Sequence, residues 1–567
     1  MTDLVLVASM VVGVLACEPP AKQPAAGWDW RLASAAARST GKMPVPPDGA
    51  SSGVELVRSP DSVPCFDVAE FAVKVSGKRF KNPFTEAELS GTFTPPAGAG
   101  IAVPGFADSD DGSMFRLRFS PQQPGLYRYE LRFQGEGIDS RFRGTLVCEA
   151  SDGPGPVIVD PKHPKHFAYA GSKKPFFHLG YTAYHLLDPS NTLAGVDATI
   201  DYCARRGFNK IRFLLAGYPR DFDRRTSRDV EHGVPDPWKA PNYGARPGQV
   251  NPLPAWPGKP HAYDFTRFYL PHWQRADRAV RRMRQCGIVA TCIFTIEKQD
   301  LPREYGRLSE HEYRFYRYAM ARLGAFCNVW WDLGNEHNEY RDRAWGDAMG
   351  GFVKRQDPQH RLASAHGYAE FFYEKSPWAD FIITQQYGDE RKVHDWALKF
   401  RPTPKPYVNE EYGYEGSRDV PGHGQNADWV RRCHWAIAMA GGYATYGDWS
   451  GGVAYFYMGE PGPGKAADQL WHLRAFFEPL SFAELEPHDE LTTAGFCLAR
   501  PPEVYAVYLP RGGKADLRLD GPAGAGRRAQ WFDPRTGCWA DGPTLTAGVN
   551  PVSAPGSLDW VLLVSPR

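Results

Sequence analysis

Between about residue 155 and residue 485 the chain alternates strand-like and helix-like segments, which commits this stretch to a parallel sheet with crossover helices. Eight strand candidates follow in order: Pro175–Leu179, Lys210–Leu215, Ile288–Thr295, Val329–Leu333, Arg361–Ala365, Phe381–Gln386, Pro406–Asn409, and a last one within Gly452–Met458 or just before it. Helical stretches intervene, notably Phe268–Gln285 and Glu310–Phe326, with apolar residues at three- and four-residue steps. Eight such units over about 300 residues predict a (β/α)8 barrel with insertions. The largest insertion, Gly217 to Pro260, is crowded with Pro and Trp and is expected to overhang the ligand face; Trp238 and Trp256 in it are candidate sugar platforms or loop anchors.

The flanking segments have a different period. From Val54 to Ala150 short alternating runs, such as Phe71–Val75, Met114–Phe119 and Gly125–Leu131, are separated by turn residues, with Asn82-Pro83-Phe84 marking one turn. Strands at this spacing without helices between them predict an antiparallel, immunoglobulin-like sandwich. The tail behaves likewise, with Val504–Leu509, Ala529–Phe532 and Trp560–Val564 as strands of a small β-unit. The expected division is an N-terminal signal over 1–17, a linker over 18–54, a β-sandwich over 55–152, a barrel over 153–487 and a C-terminal β-sandwich over 488–567. The fold class is therefore multidomain α/β plus β.

The apolar run Leu4–Ala16 is too short to span a bilayer but has the length of a signal-peptide core. Val14-Leu15-Ala16-Cys17 resembles a bacterial lipobox, so the protein is expected to be secreted, periplasmic or at the cell surface, with a lipid on Cys17 as its one route to a membrane. Lys and Arg number 66 against 65 Asp and Glu, which leaves no global field to attract nucleic acid. Arg278, Arg281, Arg282 and Arg284 read as a solvated helix face. Ten cysteines lack any CxxC or Cys/His cluster, so neither a metal nor another cofactor is expected. Cys65 with Cys148, or Cys497 with Cys538, could pair in an oxidising compartment. Oligomeric state is not legible.

Reactive groups of a parallel barrel stand at the carboxyl ends of its strands. The fourth strand runs Val329-Trp330-Trp331-Asp332-Leu333 and ends in Gly334-Asn335-Glu336; the seventh ends in Asn409-Glu410-Glu411-Tyr412-Gly413. Hydrolysis of a glycosidic bond with retention needs two carboxyls about 5–5.5 Å apart, one protonated and one ionised. Alternation along a strand is expected to turn Glu410 away from Glu411. Glu339 and Glu415 read as loop acids, and Asp332 as structural.

Asn335-Glu336 with Glu411-Tyr412-Gly413 resembles the clan A glycoside hydrolases. That resemblance implies Glu336 as acid/base, its pKa raised by the neighbouring negative charge, and Glu411 as nucleophile. It further implies that Arg212, in Gly207-Phe208-Asn209-Lys210-Ile211-Arg212, supports the nucleophile. Tyr387, after Thr384-Gln385-Gln386, would hydrogen-bond it, Asn335 would contact the sugar, and Trp449 would stack on it. His366 is a candidate sugar-hydroxyl ligand or a core histidine. Phe176-Phe177-His178-Leu179-Gly180-Tyr181-Thr182-Ala183 resembles the first strand of apiosidase-like barrels. The sandwich resembles an uncharacterised domain found ahead of such barrels. The tail, with Gln530-Trp531-Phe532-Asp533-Pro534-Arg535-Thr536-Gly537, resembles a β-module named for collagen binding, a name that does not carry a function. The implied activity is retaining hydrolysis of a plant or algal polysaccharide or oligosaccharide, with a carbohydrate substrate as partner and no nucleic acid. The alternatives are a non-catalytic carbohydrate-binding surface protein on the same scaffold, and a polysaccharide lyase.

Overall fold

The structure is a computed structural model; it describes residues 53–77, 80–187, 193–217, 254–258, 262–295, 301–367, 371–416, 425–449, 464–522 and 526–566. The proposed signal, Cys17, the linker, Trp238 and Gly452–Met458 lie outside the described residues. Among those that are described, no helix is long and apolar enough to cross a membrane.

Residues 54–149 form eight strands, and the alternating runs in the sequence are strands of this unit. Ile101–Ala107 belongs to both layers: its first half pairs with Ser90–Phe93 and its second half with Phe115–Leu117. Every second residue of Gly125–Gly135 up to Phe133 turns inward, so Tyr127, Tyr129, Leu131 and Phe133 join Phe71, Phe93, Phe115 and Phe119 in one aromatic core. The Asn82-Pro83-Phe84 turn is a one-turn helix, Pro83–Glu86, whose Asn82 side chain accepts from the Phe84 amide. That turn is also a dock. Asn82 donates to the Thr266 hydroxyl at 2.9 Å, and the Phe84 ring meets Phe268 and Tyr318 of the barrel in T-shaped contacts.

The sandwich is fastened to the barrel chiefly by buried charge. Arg118 forks onto Asp277 at 2.8 and 3.0 Å, reaches Glu70 at 2.8 Å, and donates to the Arg322 carbonyl; Arg322 in turn holds Asp277 and Asp108. Both guanidinium groups stack on Phe106. The arginines read as a solvated helix face belong partly to this seam. Arg284 pairs with Asp67 and Arg281 with Glu70 of the sandwich, while Arg278 and Arg282 pair with Asp197 and Asp201 of the adjacent helix. Helical periodicity shows that they share a face but not what lies opposite it.

The central sheet has eight parallel strands: Gly180–Thr182, Lys210–Leu214, Val289–Ile293, Val329–Asp332, Ala363–Ser364, Ile382–Gln385, Tyr407–Glu411 and Tyr443–Tyr446. Ladders join all sequential neighbours except the fifth and sixth, and the eighth returns to the first. Asp380 spans the remaining gap, its amide donating to the Ala363 carbonyl and its carboxylate accepting from the Ala363 amide.

One strand position differs from expectation, and another takes the second of two expected places. The first barrel strand begins at Gly180, because Pro175–Phe176 pairs antiparallel with Phe167–Tyr169 in a three-stranded sheet of its own. A continuous apolar run does not mark where the hydrogen-bonding partner changes. The Asn209 side chain bridges that change, accepting from the Leu179 amide and donating to the Phe177 carbonyl. The eighth strand lies before Gly452, at Tyr443–Tyr446. Ser309, Asp342, Asp389 and Asn426 cap barrel helices with their side chains.

The C-terminal unit pairs a six-stranded sheet with a two-stranded one, Lys514–Leu519 with Gly548–Ser553. One face of the large sheet covers the barrel helices: Tyr508 stacks on Trp435, Phe532 packs tilted against it, and Asp559 takes a bidentate pair from Arg431 at 2.7 and 2.9 Å.

Candidate active site

Both acids stand at the mouth of the barrel for local reasons. The fourth strand stops at Asp332, and Glu336 takes the left-handed conformation, φ 44° and ψ 37°. An L-residue adopts this at a cost on the order of 1 kcal/mol. It is held there by its neighbours: the Asn335 amide donates to Thr295 and the His337 amide to His366. After Glu411, Gly413 has φ 138°, a region closed to other side chains, and a Cβ there would come within 2.4 Å of the Trp429 ring. The chain therefore turns sharply away once the carboxylate has been delivered.

Glu411 is 4% exposed and densely coordinated. Its Oε1 accepts from the Tyr184 hydroxyl and from Arg212 at 3.2 Å, and its Oε2 accepts from the Tyr387 hydroxyl at 3.2 Å. Burial alone would raise its pKa. The positive charge beside it and the hydrogen bonds from Tyr184 and Tyr414 overcome that, so the group stays below the usual carboxylate range. His366 Nδ1 is 3.8 Å away, but burial pushes that imidazole down to about 3. It is neutral at working pH, so Arg212 is the cation that matters.

Arg212 is the hub of the site. It donates to Tyr184 at 2.7 Å, to Glu411, to Asn335 Oδ1 and to His366 Nδ1, and it lies 3.6 Å from Asp332. Because Arg212 can only donate, His366 Nδ1 must accept, which puts the imidazole proton on Nε2. That nitrogen donates to Gln385 Oε1 at 3.0 Å, and Gln385 Nε2 then donates to Glu336 Oε1 at 2.7 Å. A continuous chain of oriented hydrogen bonds thus links Glu411 to Glu336 through Arg212, His366 and Gln385.

The expected Arg212, Asn335, Tyr387 and His366 are therefore gathered around Glu411. His366, however, is fully buried with both ring nitrogens engaged, so it supports the site and does not offer itself to a sugar hydroxyl. Trp449 is half-buried and packs on Tyr414 at 6.0 Å. Trp256 is 1% exposed and packed against Phe265, Tyr305 and Phe315, so it anchors its loop and is no platform.

Glu410 corrects the alternation argument. It pairs with Lys210, and Glu411 with Arg212; Lys210 and Arg212 are two apart on one strand and share a face. Both glutamates therefore face the barrel axis at successive depths, made possible by a register shift in which Thr384 pairs with Asn409 but Gln385 with Glu411. Thr445 also donates to Glu410, and the ion pair with Lys210 holds its pKa down at about 2 despite complete burial. Glu415 is structural: it accepts from the Lys465 and Ala466 amides where the next helix starts, and from Tyr446. Asp332 accepts from the Gly334 and His366 amides, and burial raises it to about 6.

Tyr184 and Gln385 are the residues that sequence reasoning missed. Tyr184 lies beyond the first strand without a local motif. Gln385 lies in the Thr384-Gln385-Gln386 run at the carboxyl end of the sixth strand, Ile382–Gln385, which was the available signal. Among the described residues, no group of three His, Cys, Asp or Glu side chains is arranged to hold a metal ion.

Three families match the chain: "Apiosidase-like, catalytic domain" over residues 162–472, a domain of unknown function over 62–134, and "Putative collagen-binding domain of a collagenase" over 492–565. Among curated proteins none matches. Among solved structures, a "putative glycoside hydrolase" from Bacteroides vulgatus ATCC 8482 aligns over 89% of this chain and all of its own, at 21% identity and a TM-score of 0.73. A glycoside hydrolase family 5 protein from the same organism aligns over 73% of this chain and 93% of its own, at 16% identity and a TM-score of 0.56. The first of the three matches spans more than half of the sequence and covers every strand of the barrel: the chain belongs to the apiosidase-like catalytic-domain family and is a glycosidase, a glycoside hydrolase barrel flanked by two β-units.

Proposed function

We propose that this glycosidase works with retention by double displacement, Glu411 acting as nucleophile and Glu336 as acid/base, on O-glycosidic bonds of a plant or algal polysaccharide or oligosaccharide. The observation that supports this reading is the contrast between the two carboxyls. Glu411 lies under a guanidinium and phenol hydroxyls that favour its ionised form. Glu336 is half-buried and is held on one oxygen by a neutral amide. The contacts of Glu411 favour a charged group, whereas the Gln385 amide orients Glu336.

In the first step Glu411 attacks the anomeric carbon while Glu336 gives its proton to the departing oxygen. The new ester neutralises Glu411. Glu336, now a carboxylate, takes a proton from water as that water attacks the same carbon and releases Glu411. Arg212, Tyr184 and Tyr387 receive the returning charge. Asn335 is oriented by Arg212 and Tyr184 to meet the hydroxyl beside the reacting carbon, and Trp449 offers a ring to the sugar face. The protein acts outside the cytoplasm in this reading, exported by Leu4–Ala16 and held on a membrane through Cys17 if that residue is lipidated. Apiosides head the substrate panel, because the family description names that activity.

Azide rescue tests the assignment. With aryl glycosides, Glu411→Ala plus azide should yield a glycosyl azide of inverted configuration, and Glu336→Ala one of retained configuration. An inverted first product from the wild type, seen by NMR, would exclude double displacement. A wild type that cleaves nothing in a broad panel but still binds glycans would favour the binding-protein alternative, and ultraviolet-absorbing unsaturated products the lyase.

A further inference from the structure

We propose that Cys65 and Cys148 form a disulfide that staples the first strands of the sandwich to its last, at the seam with the barrel. The two sulfurs lie 2.9 Å apart, closer than unbonded sulfurs pack, and both residues are buried, at 5% and 2% exposure. Their backbones are already registered for it. Ser62–Pro64 runs parallel to Val147–Glu149, with Val63 opposite Cys148, and the Cys65 amide donates to the Glu149 carbonyl at 2.8 Å. Cys65 is thus a diagonal neighbour of Cys148 on one face of the pair, which is where side chains two residues out of register can meet. A bond of about 2.05 Å needs the two sulfurs to approach by less than 1 Å, without moving the strands.

The position gives the bond a purpose. Phe66, the next residue, takes a left-handed φ of 67°, and its ring lies against Gly155 and Gly171 beyond the last sandwich strand. Asp67 pairs with Arg284 of the barrel. The bond would close a loop of 83 residues that contains nearly the whole sandwich, and long loops lose the most entropy when the unfolded chain is cross-linked. Burial holds the Cys148 thiol well above its ordinary range, so the folded dithiol is a poor nucleophile and the bond is a staple formed during folding, not a reversible switch.

The chemistry balances with an external disulfide as oxidant, either oxidised glutathione or the active-site disulfide of a thiol oxidoreductase. One cysteine thiolate attacks it and releases a thiolate. The second cysteine then attacks the mixed disulfide and releases the other. Two protons and two electrons leave the pair, and the oxidant becomes two thiols.

The test is refolding of the full chain in a glutathione redox buffer, followed by acid quench, alkylation and peptide mapping. A Cys65–Cys148 cross-linked peptide is expected, with both residues alkylated only after reduction. The oxidised protein should melt roughly 10 °C above the same protein reduced. Cys65→Ala/Cys148→Ala should melt with the reduced form and ignore the redox buffer. Glycosidase activity at low temperature, measured alongside, should be equal in all three, which separates this inference from the assignment of the active site. Alkylation of both cysteines without reduction, a bond to a different cysteine, or equal melting of oxidised and reduced protein would overturn it.

Discussion

Tyr184→Phe isolates one hydroxyl at the centre of the proposed site. The ring packs with Leu214, Ile293, Tyr414 and Trp449, contacts that phenylalanine keeps. The hydroxyl contacts Glu411, Asn335 at 2.9 Å and Arg212 at 2.7 Å. In the mutant Arg212 still reaches Glu411 at 3.2 Å and still holds Asn335, so the frame persists. Along with the contacts to Asn335 and Arg212, Glu411 loses one hydrogen bond, which to an ionised acceptor is worth about 1.5–3 kcal/mol. Every 1.4 kcal/mol is tenfold, so the balance between ionised and neutral Glu411 changes by about 10- to 100-fold.

Two consequences follow, with definite signs. In the proposed mechanism activity needs Glu411 ionised and falls as pH drops through its pKa. That pKa is depressed in the wild type, so the acid limb of kcat/KM lies below the ordinary carboxylate range, and in the mutant it moves to higher pH. In the same mechanism Glu411 would also become a poorer leaving group from the glycosyl-enzyme. Deglycosylation should slow about 10- to 100-fold, with KM falling as the intermediate accumulates. A pH profile and stopped-flow burst kinetics on aryl glycosides with good leaving groups read both. An unmoved acid limb together with an unchanged burst would refute the argument that Tyr184 stabilises the charged nucleophile.

Glu410 and Glu411 should separate cleanly on substitution. Glu411→Gln keeps the fold and loses activity, whereas Glu410→Gln leaves Lys210 charged and uncompensated in the barrel core, a loss of about 3–5 kcal/mol in denaturant melts. Gln385→Leu removes the amide that holds Glu336, so aryl glycosides with poor leaving groups should slow more than activated ones. It also strands the His366 Nε2 proton, costing about 1–3 kcal/mol of stability. Arg118→Met cuts the seam between sandwich and barrel and should lower stability by about 3–5 kcal/mol in calorimetry. Asp277 and Glu70 at that seam have depressed pKa values, so their contribution is complete above about pH 4.5 and is lost as pH falls through their folded values; acid should loosen the dock, seen as protease cleavage near residues 150–156.

Alternation at Met114–Phe119 and Gly125–Leu131, and the strand–helix alternation from Lys210 to Glu411, were legible because side-chain period is a local property of the backbone. The candidate acids Glu336 and Glu411 could be singled out because each follows an apolar run, and those runs are barrel strands, Val329–Asp332 and Tyr407–Glu411. What the tertiary structure decided is everything that depends on which strands become neighbours. Tyr184 reaches Glu411 across 227 positions and Lys210 reaches Glu410 across 200, pairings that no local pattern carries. The register shift beside Gln385 set Glu410 and Glu411 on one face against the period of two, and docking of the sandwich turned Arg281 and Arg284 from surface charges into a seam. Local sequence fixes which residues share a face; only closure of the barrel and packing of its neighbours determine what that face meets.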